Sequence, residues 1–270
     1  MIVRSILRRA LSLLVFIVAI ASVGADDATE SAPVRRFGIF VGANDGGAER
    51  VRLRWAASDA YRLADVMHDV GGLDPRDAIV LVDPDSIRLE EEMNALRERI
   101  DTAKRSARRV ELMFYYSGHS DEVGLMLGET HYGYDQLRQD IKHVGADVSI
   151  AILDSCASGA FTRLKGGSRI QPFLVDDATD MSGHAFLTSS SEDEASQESD
   201  AIGSSFFTHY IISGLRGGAD ASLDGRVTLN EIYQYAYNET LARTERTYAG
   251  PQHPSYDIQL NGTGDLILTD

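Results

Sequence analysis

The chain has 270 residues, 43% of them hydrophobic, with 41 acidic against 26 basic side chains and a formal charge of −15. That balance argues against nucleic acid and anionic membranes as partners, because like charges repel at the surface. A single cysteine excludes an internal disulfide.

The first 25 residues stand apart. Arg4, Arg8 and Arg9 make a basic start, Ala10 to Val23 an apolar stretch of 14 residues, and Val23-Gly24-Ala25 a small-residue cleavage pattern. These features predict a signal peptide over 1–25 and an exported protein, periplasmic or extracellular. The stretch is shorter than the roughly 20 residues of a membrane span, so stable insertion is not expected after cleavage; an uncleaved anchor is the alternative. Loss of three arginines takes the charge to −18. In an exported chain a lone thiol is either a free reactive group or an intermolecular bridge.

Residues 26–35 read as a flexible polar segment, and 36–270 as one larger α/β domain. Phe37 to Gly42 predicts a first strand. Arg54 to Val70 predicts a helix, with Ala56, Ala60, Leu63, Met67 and Val70 at helical spacing. Ile79 to Val82 is a second strand, closed by Asp83-Pro84. Leu89, Met93, Leu96 and Ile100 mark a second helix. Val110 to Tyr116 is a third strand and runs into Ser117-Gly118-His119-Ser120. Leu137, Ile141 and Val144 mark a third helix. Val148 to Leu153 is a fourth strand and runs into Asp154-Ser155-Cys156-Ala157-Ser158-Gly159. Ala185 to Ser189 is a fifth strand, and Phe206 to Leu215 and Leu229 to Ala242 are further helices. The alternation predicts a mainly parallel sheet with helices on both faces.

The thiol of Cys156 and the imidazole of His119 thus each follow the carboxyl end of a core strand. In open parallel sheets that end is where ligands bind. If the two strands are neighbours, the groups form a nucleophile and proton carrier. A small buried cysteine and a structural histidine are the plainer alternative.

These strings carry a resemblance. Tyr115-Tyr116-Ser117-Gly118-His119 resembles the histidine motif of metacaspases and related bacterial caspase-like cysteine peptidases, and Asp154-Ser155-Cys156-Ala157-Ser158-Gly159 resembles their cysteine motif. Ser58-Asp59-Ala60, Gly203 to Thr208 and Asp224 to Glu231 extend the likeness from about Arg36 to the C-terminus. Ser120 departs from the Gly that many members carry, and Ala157 from a frequent His.

The resemblance implies a caspase-like three-layer α/β fold and a thiol endopeptidase that needs no cofactor for its chemistry. It implies a division into a large-subunit-like part (36–160), a linker (161–184) and a small-subunit-like part (185–270). Arg163, Lys165 and Arg169 offer cleavage points in the linker. It also implies an oxyanion hole from the backbone N–H groups of Ser120 and Cys156, where a glycine would hold the required dihedrals more cheaply than Ser120. Asp154, two residues before the thiol, and Asp59, on the first helix, become pocket acids. Two carboxylates there select protein or peptide substrates with Arg or Lys before the scissile bond. A turn-capping role for Asp154 and a solvated one for Asp59 are the alternatives. Thr188 to Ser191, Glu194 and Glu198 border the groove by resemblance, or form a polar surface loop.

Asp220 to Glu231 fits a 12-residue calcium loop. Asp220, Ser222, Asp224, the Arg226 carbonyl and Glu231 stand at ligand positions and Gly225 at the turn. A metal-free Asp-Gly turn before a capped helix is the alternative. Two other functional readings remain beside the peptidase: a catalytically silent binding or scaffold protein of the same fold, and a serine hydrolase through Ser120. Glu122 stands where a nucleophile elbow requires Gly, which counts against the last.

Overall fold

The structure, a computed structural model, describes residues 33–156, 181–191, 194–262 and 264–270. The leader expected over 1–25, residues 26–32 and the cleavage points Arg163, Lys165 and Arg169 lie outside them.

In chain order the elements are β1 (Val34–Gly42), α1 (Ala56–Asp69), β2 (Leu73–Val82), α2 (Ser86–Ala103), β3 (Arg109–Ser117), β4 (Gly124–Leu127), β5 (Thr130–Gly133), α3 (Tyr134–Val144), β6 (Val148–Asp154) and β7 (Ser182–Thr188). After these come β8 (Glu198–Ser199), β9 (Ser204–Ser205), α4 (Phe206–Ser213), β10 (Val227–Thr228), α5 (Leu229–Thr244), β11 (Ser255–Asn261) and β12 (Ile267–Thr269). Six strands form the central sheet in the order β11-β7-β6-β3-β1-β2. All neighbours run parallel except the edge strand β11, which is antiparallel to β7.

Every residue of β3 and β6 is buried. Such continuous burial is what a strand needs when helices cover both faces of a parallel sheet. Alternation divides these side chains between two cores. Tyr115, Ile150 and Ile152 pack with α1, α4 and α5 through Leu63, Phe207 and Ile232. Phe114, Tyr116, Ala151 and Leu153 pack with α2 and α3 through Met93, Leu96 and Leu137. The result is the three-layer α/β arrangement expected from the alternation.

Several features differ from expectation. The first strand begins at Val34, so 34–35, expected as part of a flexible segment, pair with Arg109 and Val110 of β3, and the short pairs β8–β9 and β10–β12 were not expected. The second strand begins at Leu73 rather than Ile79, because buried Asp77 is paired with Arg35 and Arg99 and so belongs to the strand despite its charge. The hairpin β4–β5 and the edge strand β11 were not expected at all.

Candidate active site

The register between β3 and β6 sets the geometry. Ser117 pairs with Asp154, the last residue of each strand. His119 and Cys156 each stand two residues past that pair, on adjacent parallel strands. Gly118 N–H donates to the Asp154 carbonyl (3.2 Å), which extends the pairing into the two turns. The histidine and cysteine motifs are thus neighbours at the carboxyl end of the sheet.

The imidazole is fixed from several sides. His119 Nε2 lies 2.8 Å from the Val51 carbonyl oxygen. A carbonyl only accepts, so Nε2 carries the proton and Nδ1 is left with the lone pair. Val51 belongs to the loop after β1, which closes on itself through Leu53 N–H to the Asn44 carbonyl (2.8 Å). Asp83 Oδ1 accepts from Asn44 and Asp45 N–H (2.6 and 3.0 Å), and Glu129 accepts from Ala48 N–H (2.9 Å). Gly46 of the same loop lies flat against the ring: a Cβ there would stand 2.3 Å from His119 Cδ2. On the other side the Tyr116 hydroxyl donates to the carbonyls of His119 (2.5 Å) and Met126 (2.8 Å).

Cys156 is half-buried. Burial pushes its thiol above the ordinary value, and the nearby Asp154 charge adds to this. A hydrogen bond from Ser196 N–H and the charge of Arg50 work the other way. Ser120 is buried, and its hydroxyl reaches Ser155 Oγ (2.8 Å) and the Cys156 carbonyl. Among the described residues only Asp83 and Leu223 are non-glycine residues with positive φ. Ser120 therefore holds its place without left-handed backbone, and the departure from Gly costs no strain. Its N–H takes no partner among the described residues.

Asp154 and Asp59 meet across β9. Asp154 is 3% exposed and Asp59 0%. Asp154 accepts from Ser196 Oγ (2.5 Å), Thr208 Oγ1 (2.6 Å) and Ser205 Oγ. Asp59 accepts from Ser204 Oγ (2.6 Å) and Ser205 N–H (3.0 Å). Ser205 touches both carboxylates, and its hydroxyl also caps α4. Burial raises the Asp59 carboxyl to about 7, and the charge of Asp154 contributes to the rise. No Lys or Arg among the described residues forms an ion pair with either acid. Neither the solvated reading of Asp59 nor a simple turn cap at Asp154 fits this arrangement.

The hydroxyl run after β7 is not a surface loop: Thr188, Ser189 and Ser190 are fully buried. Ser189 and Ser190 donate to the Ser155 carbonyl (3.3 and 3.1 Å), so they brace the turn that carries the thiol. Glu198 caps α1, accepting from Arg54 and Trp55 N–H (3.1 and 3.0 Å). Trp55 Nε1–H donates to Asp200 (3.2 Å), and its ring lies against Gly203. Glu194 binds His253 Nδ1 at 2.6 Å. Sequence reasoning missed Gly46, Val51, Ser196 and Gln252. Gly46 acts through the lack of a side chain and Val51 through its carbonyl, which leaves no pattern to read.

In the Asp220–Glu231 loop the carboxylates are engaged with main-chain N–H groups. Asp220 accepts from Asp224 and Gly225 N–H, and Asp224 from Arg226 N–H. Ser222 N–H donates to Glu231 Oε1, while Glu231 forms a capping box with Thr228 at the start of α5. Among the described residues no group of three or more His, Cys, Asp or Glu is placed to hold a metal ion.

Comparison with known proteins identifies the family and the fold. The family model of the caspase domain, Peptidase C14, matches residues 35–262. No curated protein matches the chain. Among solved structures, caspase-1 from Spodoptera frugiperda superposes with a TM-score of 0.59 at 12% identity, covering 88% of this chain and 91% of that one. Such low identity speaks to the fold alone. The family match runs through both strand ends and through the helices that pack them, so the chain belongs to the caspase domain family, whose members are cysteine endopeptidases.

Proposed function

We propose that this protein is an exported, metacaspase-like cysteine endopeptidase that cleaves after Arg or Lys, with Cys156 as nucleophile and His119 as proton carrier. The observation that carries the specificity is the buried pair Asp59 and Asp154, held by hydroxyl and N–H donors and without an ion-pair partner among the described residues. Two carboxylates in so dry a place repel each other, and a guanidinium or ammonium entering between them relieves the repulsion and gains charge-assisted hydrogen bonds.

The proposed steps use the proton carrier, the thiol and two main-chain donors. His119 Nδ1 takes the thiol proton as Cys156 Sγ attacks the carbonyl carbon. The oxyanion is met by the N–H groups of Ser120 and Cys156. Nδ1–H then protonates the leaving amine, and a water hydrolyses the thioester by giving its proton to Nδ1. Val51 holds the ring in one tautomer throughout and stabilises the imidazolium as it forms.

A mixed fluorogenic peptide panel tests the proposal. Arg and Lys peptides should be cleaved and Asp peptides left intact. Cys156→Ala should abolish cleavage. Asp154→Asn should lower kcat/KM on basic peptides by roughly 10²-fold, the worth of a lost charged partner at about 1.4 kcal/mol per tenfold. Cleavage after Asp by the unmodified protein would remove the pocket assignment. Intact peptides throughout would favour a binding or scaffold role.

A further inference from the structure

We infer that Gln252 is a positioning residue of the active site, a buried carboxamide that sets the 194–198 segment so that Ser196 bridges the Cys156 thiol and the Asp154 carboxylate. The inference rests on the assignment of Cys156 and Asp154 above. It goes further in naming what aligns the nucleophile with the pocket.

Gln252 is 0% exposed, on the connection between α5 and β11. Its neighbours in Pro251-Gln252-His253-Pro254 fix the local backbone. Each polar end of the side chain serves a different chain segment. Nε2–H donates to the Ser189 carbonyl at 2.7 Å, where β7 has ended, and lies 3.5 Å from Ser196 Oγ. Oε1 accepts from Gln197 N–H at 3.2 Å. Its own N–H donates to Thr244 Oγ1 at 2.9 Å, so α5 anchors it from behind. A buried amide whose donors and acceptor are all engaged is a rigid spacer, because rotation would leave dry polar groups unpaired.

What it spaces is the segment over the site. Ser196 Oγ donates to Asp154 Oδ1 at 2.5 Å, and Ser196 N–H bonds the Cys156 sulfur. One residue therefore touches nucleophile and pocket acid at once. Further ties hold the segment at both sides. Gln197 Nε2–H donates to the Gly250 carbonyl (2.8 Å), Thr247 Oγ1–H donates to Gln197 Oε1 (2.6 Å), and His253 N–H donates to Glu194 (2.7 Å). Among all these, only Gln252 reaches both the segment and the end of β7, the strand beside the one that carries Cys156. A basic side chain entering the pocket competes with Ser196 Oγ for Asp154, while the Ser196 N–H remains on the sulfur.

The test reads the thiol directly and needs no substrate. Iodoacetamide alkylation of Cys156 is followed across pH in the full protein, beside kcat and KM on an Arg peptide. Gln252→Leu keeps the bulk and removes both polar ends. It should slow alkylation at neutral pH by about tenfold and move the inflection upward by about one pH unit, since the thiolate loses a donor. Ser196→Pro, on the half-buried segment, removes the N–H together with the hydroxyl and should reproduce that shift. Ser196→Ala keeps the N–H, so it should leave the inflection in place and change KM more than kcat. None of the three changes removes Asp154, Arg50 or His119, the other charged or titratable groups that act on the thiol; both Ser196 changes take the same hydroxyl donor from Asp154, so their difference isolates the N–H. An unmoved inflection in Gln252→Leu overturns the inference. If Gln252→Leu does not fold, Gln252→Glu, which keeps the acceptor and loses the Nε2–H donated to Ser189, decides in its place. Failure of the unmodified protein to cleave any peptide would strike the peptidase reading and leave the alkylation result standing.

Discussion

Gly46 shows how much a missing side chain can matter. The loop backbone lies so close to the imidazole that an added methyl displaces the ring, and the ring cannot move far without losing Val51. Gly46→Ala should therefore lower kcat/KM on basic peptides by about 10²-fold, the usual penalty for a catalytic group about 1 Å out of place, with little change in melting temperature. A variant of full activity would show that the ring is free to shift. Asp59 makes a prediction of another kind. Its carboxyl is raised to about 7 by burial, so the folded protein holds that proton more tightly than the unfolded chain does. The group therefore favours folding below its unfolded value, and that contribution is lost as pH rises from about 4 to about 7. Thermal melts should show the unmodified protein losing more stability over that window than Asp59→Asn does. Equal slopes would mean the carboxyl is ionised throughout. The sequence made Asp59 readable only through its company in Ser58-Asp59-Ala60, because a single acid in a helix has no periodicity of its own. Gly46 was silent, since its role depends on a residue more than seventy positions away.

Elements were legible where burial is uniform. β3 and β6 announce themselves because both faces are covered and nearly every side chain must be apolar. β11 escaped notice because, as an edge strand, it buries only Asp257 and carries no apolar run. The first half of β2 escaped because Asp74, Arg76 and Asp77 read as a loop, although Asp77 is satisfied by two arginines. In the Asp220–Glu231 loop the oxygen spacing of a calcium site coincides with that of a capped helix start. Thr228 and Glu231 cap α5 by bonding each other's main chain. Thr228→Ala should cost about 1 kcal/mol in urea denaturation, the value of a lost N-cap. A loss near zero would mean that the helix start is held by β10–β12 pairing alone. Leu223 in the same loop is 87% exposed with a φ of 60°, a strained position that a glycine would relieve.

At the scale of the whole molecule, the two ends of the described chain are locked together by one arginine. Arg36 on β1 donates to the carbonyls of Gly71 (2.5 Å), Ile267 (2.6 Å) and Leu268 (2.7 Å) and to Glu111 (2.7 Å). Glu111 is 3% exposed and also binds Arg109. Arg36→Met would strand three carbonyls and half of a buried carboxylate. It should cost about 3 kcal/mol or more in urea denaturation. A cost below about 1 kcal/mol would show that β12 is held by its pairing with β10 instead. The seating of the 198–203 segment on α1 has a consequence of a different sort. Trp55, the chain's only indole, is bonded to Asp200 and stacked on Gly203, while Cys156 is its only thiol. The wild-type protein is thus already an optical instrument. Any rocking of that segment wets the indole and reddens its emission, and a dye on the single sulfur turns the same motion into a change of energy transfer, with no residue altered.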